Sequence, residues 1–320
     1  RNMNWTEVKI YTTTAGIDPL TGSMLDLGLQ GFMIEDAQDF DEFLHDTTPR
    51  WDYVDQAVME KMKDCETCVT IYVADNPQGM EELMQVRQIL ARLKAQDPDG
   101  KYGRLELEMK DVDEEDWSNA WKKYYHPVQV GEHLVVCPSW EVYDRQPDDV
   151  VLTLNPGMAF GTGTHDTTRL CMELLEKYIT PQDTVLDVGC GSGILAITAA
   201  LLGANKIIGC DIDEVAVKVA GENAALNGVQ DRIAFHQGDL TSQVEGSFQI
   251  ICANIVADVI IRLSEDAGRY LAKDGIFITS GIIDTREQDV LNALEQNGFQ
   301  VIERRTSGGW VALACKAKVQ

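Results

Sequence analysis

The stretch Asp187-Val188-Gly189-Cys190-Gly191-Ser192-Gly193 constrains the fold of this chain more than any other feature. It stands where an apolar run over 184–188 gives way to a helix-forming run over 194–202, so three glycines share one strand-to-helix turn. Without a Cβ, the backbone N–H groups of such a turn can approach a ligand closely at the start of a helix. Strands and helices then alternate with short connections as far as residue 297. Strands are expected over 184–188, 206–211, 232–237, 248–253 and 275–280, and helices over about 194–202, 214–227, 257–272 and 285–297. The strands are apolar on both faces, which fits the buried parallel sheet of a doubly wound α/β fold. Gly203 and Gly228 stop two of the helices, where a left-handed cap favours glycine. Two last strands, 300–304 and 310–315, are joined by Ser307-Gly308-Gly309, short enough for a hairpin. The final strand should therefore run antiparallel to its neighbours.

The glycine spacing bears on the cofactor. A dinucleotide fingerprint needs Gly-x-Gly-x-x-Gly, but the sixth position counted from Gly189 is Ile194, and the pattern here is Gly-x-Gly-x-Gly. Asp211 ends the next strand, 18 positions after Gly193, where a carboxylate can accept both hydroxyls of a ribose. Nicotinamide enzymes and S-adenosylmethionine enzymes both use that carboxylate. Asp187 directly before the turn and the terminal hairpin favour methyl transfer over hydride transfer. Asn254 ends the fourth strand of the series, at the carboxyl edge where ligands bind in such sheets.

Ahead of this unit the elements differ. A strand over 7–11, a helix over 17–29, a strand over 32–35, an acidic insertion over 35–64, a strand over 69–73, a helix over 79–95 and a strand over 104–108 give a βαββαβ order. That order predicts a small ferredoxin-like α+β domain. The expected division is a ferredoxin-like domain over 1–110, a linker helix over 111–127 and a Rossmann-like domain over 128–320. Trp117 and Trp121 lie four apart on one face of the linker helix and read as a packing surface between domains. A hairpin is expected from strands at 128–130 and 134–137.

Charge and cysteine content narrow the function. With 52 acidic and 27 basic residues the formal charge is −25, a field that repels phosphate backbones and attracts basic partners. The longest apolar stretches, such as 194–202, fall short of the roughly 20 residues needed to span a bilayer. The N-terminus, Arg1-Asn2-Met3-Asn4-Trp5, lacks the charged-then-apolar layout of a signal peptide, and Arg1-Asn2 ahead of Met3 reads as an expression remnant. Eight scattered cysteines fit a reducing cytoplasm, and the single C-x-x-C at Cys65 and Cys68 lacks the second ligand pair of a metal site. His45, His126, His133 and His236 show no metal spacing and read as structural, and His165 reads first as a loop histidine.

The chain resembles the class I, seven-stranded S-adenosylmethionine-dependent methyltransferases, and within them the ribosomal protein L11 methyltransferase family, PrmA. The carriers are Trp117 and Trp121 followed by Tyr125-His126-Pro127, Cys137-Pro138-Ser139-Trp140, the block Asn155-Pro156-Gly157-Met158-Ala159-Phe160-Gly161-Thr162-Gly163-Thr164-His165-Asp166-Thr167-Thr168, the glycine turn, and Ala253-Asn254-Ile255-Val256-Ala257. The resemblance implies that Thr168, Gly189, Gly191, Asp211 and Asn254 contact S-adenosylmethionine, with Asp211 on the ribose and the glycine turn under the methionine portion. It implies that 160–165 form a glycine-hinged loop over the methionine end and that Asp239 is an adenine-side acceptor. It also implies that the front domain recognises the substrate, ribosomal protein L11, and that amines of that protein, lysines included, are methylated. The acidic insertion enlarges this front domain and leaves the docking surface open.

Methyl transfer from a sulfonium is an in-line displacement that needs a free lone pair on the acceptor, so positioning carries most of the catalysis. A lysine amine with a pKa near 10.4 costs roughly 4.6 kcal/mol to neutralise at pH 7, and an α-amine near 7.7 to 8.0 only about 1 to 1.4. No general base stands out, which leaves desolvation and the Asn254 carbonyl as the expected means of selecting the neutral amine. Alternatives remain. Adenine and glutamine methyltransferases usually follow the asparagine with Pro-Pro-aromatic, whereas Ile255-Val256-Ala257 follows here. Another basic protein could be the acceptor, a nicotinamide dehydrogenase would share Asp211, and a catalytically silent scaffold would keep the fold without turnover.

Overall fold

The computed structural model describes residues 4–39, 65–157, 159 and 161–319. In the front part β1 (Trp5–Tyr11), α1 (Thr14–Asp26), β2 (Met33–Glu35), β3 (Cys68–Ala74), α2 (Pro77–Gln96) and β4 (Glu106–Met109) follow one another in βαββαβ order. The strands form one antiparallel sheet, β2-β3-β1-β4, so each βαβ unit has a strand of the other inserted between its own two. Alternate residues of β1, among them Val8 and Ile10, are buried, and α1 and α2 pack against β3 and each other. Asn76 caps α2 by accepting from the Gly79 N–H at 2.8 Å, and Pro77 occupies the first turn, where its missing N–H costs nothing. From residue 40 to residue 64 the acidic insertion, with His45, lies outside the described residues.

The helix expected across 111–127 is shorter. Asp111 takes φ 58°, α3 runs Glu114–Ala120, and a 3₁₀ turn over Trp121–Tyr124 follows before Pro127, which disfavours helix at the residue ahead of it. The two tryptophans thereby part company. Trp117 donates from Nε1 to Asp75, the residue after β3, at 3.0 Å, while Trp121 packs on the Tyr125 and Trp140 rings at 5.4 and 5.8 Å. Beyond them β5 (Val128–Val130) and β6 (Leu134–Pro138) make the expected hairpin, and an unforeseen β7 (Val150–Leu154) pairs parallel with β6.

The rest of the chain comprises α4 (Asp166–Tyr178), β8 (Thr184–Val188), α5 (Ile194–Leu201), β9 (Lys206–Asp211), α6 (Glu214–Leu226), β10 (Ile233–Gln237), β11 (Phe248–Asn254), α7 (Ala257–Tyr270), β12 (Leu271–Ile283), α8 (Glu287–Gln296), β13 (Phe299–Ser307) and β14 (Trp310–Ala317). Its sheet has the order β10-β9-β8-β11-β12-β14-β13. The first five strands are parallel, and β14 is antiparallel to both β12 and β13, as the short Ser307-Gly308-Gly309 connection requires. β12 begins four residues earlier than expected. Asp274 takes φ 62° within the strand, and the register against β11 shifts there. Strand order reverses between β8 and β11, and ligands of open α/β sheets bind past the carboxyl ends of strands at that point. One apolar cluster runs without interruption from Val8, Leu20 and Ile89 of the front part to Ile255, Val259 and Val290 beside the large sheet.

Candidate active site

The glycine turn follows β8, and Gly189, Gly191 and Gly193 all take positive φ, at 73°, 53° and 84°. A Cβ on Gly189 would stand 2.5 Å from Ile255 Cγ2, so both conformation and space demand glycine there. The N–H groups of Gly189 and Cys190 donate to the Cys210 carbonyl at 2.8 and 2.9 Å, tying the turn to the end of β9. Asp211 fixes it further. Its Oδ2 accepts from the Gly191 N–H and its Oδ1 from the Asp213 N–H, each at 2.9 Å, and the residue is 3% exposed. Burial pushes this carboxyl up to about 6. The carboxylate still has lone pairs beyond those two bonds, enough to accept a pair of hydroxyls.

Asp187 does a different task. Its Oδ2 accepts from the Ala196 N–H in the first turn of α5 at 3.1 Å, the Cys252 thiol is a further partner, and burial pushes the group up to about 7. Asn254, 8% exposed at the end of β11, donates from Nδ2 to Thr168 Oγ1 at 3.2 Å. Thr168 itself is fully buried. The structure thus brings Thr168 to Asn254 and Gly191 to Asp211 as two hydrogen-bonded pairs, with Gly189 beside Asp211 on one cavity wall and Asn254 on the next. Asp239 lines the first cavity with Gly238 and is paired with Arg262.

The block ahead of α4 is held from several sides. Met158 and Phe160 lie outside the described residues; Gly161 accepts at its carbonyl from Ser192 Oγ at 2.6 Å, and the Thr162 carbonyl accepts from the Tyr125 hydroxyl. His165 caps α4 by accepting from the Thr167 N–H at 3.2 Å. Burial lowers its pKa to about 4, so the ring is neutral near pH 7.

Sequence reasoning missed the contribution of α2. Glu81, Gln85, Gln88 and Arg92 recur at spacings of four, three and four, which places them in one stripe along the helix. Glu81 and Gln85 are buried. Gln88 and Arg92 line both cavities beside Asp211 and Asn254. That polar stripe inside an otherwise apolar helix face was the available signal.

A triple-glycine turn preceded by a buried acid, a second acid at the end of the next strand and a sheet closed by an antiparallel hairpin define a class I S-adenosylmethionine-dependent methyltransferase. The donor set fits that cofactor: a close-packed glycine turn and a buried carboxylate with lone pairs free for hydroxyls. Residues 4–318 match the family described as "Ribosomal protein L11 methyltransferase (PrmA)", and the chain belongs to that family. It is 42% identical over 318 residues to the ribosomal protein L11 methyltransferase of Alkaliphilus oremlandii, covering 99% of both chains. It is also 42% identical over 314 residues to that of Caldicellulosiruptor saccharolyticus, covering 98% of this chain and all of the relative. Among solved structures, the ribosomal protein L11 methylase from Lactobacillus delbrueckii subsp. bulgaricus superposes with a TM-score of 0.58 at 38% identity, over 61% of this chain and all of that one.

Proposed function

We propose that this chain methylates amines of ribosomal protein L11, lysine ε-amines and the N-terminal α-amine, in the cytoplasm. Family membership over 4–318 is the observation that carries the substrate, and the pairing of Asp211 with the glycine turn supports the cofactor site. S-adenosylmethionine supplies a methyl group activated on a sulfonium. Asp211 takes the ribose hydroxyls, and Gly189 and Gly191 give the methionine portion close backbone contact. Thr168 holds the Asn254 amide in one orientation, so that the Asn254 carbonyl is the acceptor that selects a neutral, correctly placed amine. Asp239 is the adenine-side group. The proton of the incoming ammonium leaves through water before the lone pair is used.

The division into a front domain over 1–110, a linker over 111–127 and a catalytic domain over 128–320 is part of this reading, with the front domain recognising the protein substrate. A formal charge of −25 suits a strongly basic partner. No helix among the described residues is long and apolar enough to cross a membrane. The test is Asn254→Ala. Turnover should fall much more than affinity for S-adenosylhomocysteine, and an equal loss in both would remove Asn254 from the chemistry.

A further inference from the structure

The polar stripe of α2 stands where the nucleoside end of the cofactor belongs. Gln88 Nε2 lies 3.5 Å from Asp211 Oδ2, and Arg92 lines the same cavity as Asp211 and Asp239. With these side chains in place, the cavity beside Gly189 and Asp211 measures about 30 Å³ and the one beside Asn254 about 20 Å³. A ligand of nucleoside size needs roughly 300 Å³ or more. An open groove of about 840 Å³ runs between α2 and the segments at Ile212 and Gly238, and shares Ile212, Gly238 and Asp239 with the smaller cavity. Protein, not distance from solvent, therefore limits the space at Asp211.

Two polar contacts hold α2 and its neighbours in this position. Glu81, on the same stripe and 1% exposed, accepts from the Gly161 N–H at 3.3 Å, the Thr162 N–H at 2.7 Å and the Thr162 hydroxyl. Arg286, after β12, donates to both Asp26 oxygens at the end of α1, at 2.8 and 2.9 Å. Between them Leu27 and Ile89 join Ile255, Val256 and Val259 in one apolar cluster.

We propose that α2 is an intramolecular competitor of the cofactor: Gln88 engages Asp211 and Arg92 fills the cavity beside it in the closed arrangement, Glu81 latches it, and cofactor binding displaces the front part. The inference rests on the reading that Asp211 takes the ribose. Cofactor loading and front-part release are then the same event. By reciprocity, any protein substrate that grips the front part and draws it away raises the affinity for cofactor by the same factor.

Hydrogen exchange on the unmodified full chain, with and without S-adenosylhomocysteine, tests this without any variant. Amides of 189–193 should be protected by the ligand while those of 81–92 exchange faster. Protection of the turn with unchanged or slower exchange in α2 would overturn the proposal and leave the site intact. In titration calorimetry Glu81→Ala should bind S-adenosylhomocysteine roughly tenfold more tightly if about nine-tenths of the chain is closed, since apparent affinity scales with the competent fraction. The milder Glu81→Gln should move in the same direction. Unchanged affinity in both folded variants would overturn the latch. Asp211→Ala that binds as well as the unmodified chain would overturn the ribose reading, and the proposal with it.

Discussion

Asp211→Asn separates the charge at the site from its shape. In the structure the two carboxylate oxygens each accept a backbone N–H, from Asp213 and Gly191, both at 2.9 Å. An amide offers one oxygen, so one buried N–H would face an NH₂ group at a cost of about 1–3 kcal/mol. The same change removes a charge that burial already penalises, as the shift of this carboxyl from 3.8 to about 6 shows, and that relief is on the order of a few kcal/mol. The two effects oppose each other, and the thermal midpoint should move by only a few degrees. A ribose hydroxyl that loses a charged acceptor gives up about 1.5–3 kcal/mol, a roughly ten- to hundredfold loss of affinity for S-adenosylhomocysteine. Calorimetric titration beside a thermal melt reads both quantities on one preparation. A folded Asp211→Asn protein that binds within threefold of the unmodified chain would refute the role given to Asp211.

Gly189→Ala should weaken cofactor binding and lower the melting temperature, because a left-handed φ costs a non-glycine residue roughly 1–2 kcal/mol before the 2.5 Å contact with Ile255 is relieved; an unchanged melt contradicts this. Glu81, raised by burial from about 4.5 to about 7, binds its proton more tightly in the closed protein than when exposed. Its contribution to closure is therefore complete below about pH 4.5 and lost as pH rises through about 7. Melts between pH 5 and pH 8 should show stability falling with pH, and Glu81→Gln should flatten part of that slope, the remainder belonging to Asp187 and Asp211, whose shifts have the same sign. Association with a basic protein substrate should slow by about tenfold or more between low and high salt, and a rate insensitive to ionic strength would remove electrostatic steering from the account.

The large sheet was legible in the sequence because its strands are apolar on both faces and glycines punctuate the helices that cross over it. Gly203 and Gly228 take φ 106° and 66° where those helices end, and Asp211 lies at the last residue of β9. The stretch from 150 to 178 was less legible. Asn155, Pro156 and the glycines at 157, 161 and 163 break any periodicity between β7, whose partner β6 begins sixteen residues earlier, and α4, whose apolar face is built from Leu170, Leu174 and Leu175. The site was legible where one local motif supplies it, as at Gly189 and Asp211. Gln88 and Arg92 could not be placed that way. Their relation to Asp211 is set by how α2 docks, across more than 100 residues of chain, and no local pattern encodes that angle.

The most direct test of the account is mass spectrometry of unmodified ribosomal protein L11 incubated with this chain and S-adenosylmethionine, beside an Asp211→Ala control. The account predicts added methyl groups on amines, lysines among them, that are absent from the control. Confirmed cofactor binding without methylation of that protein would contradict it.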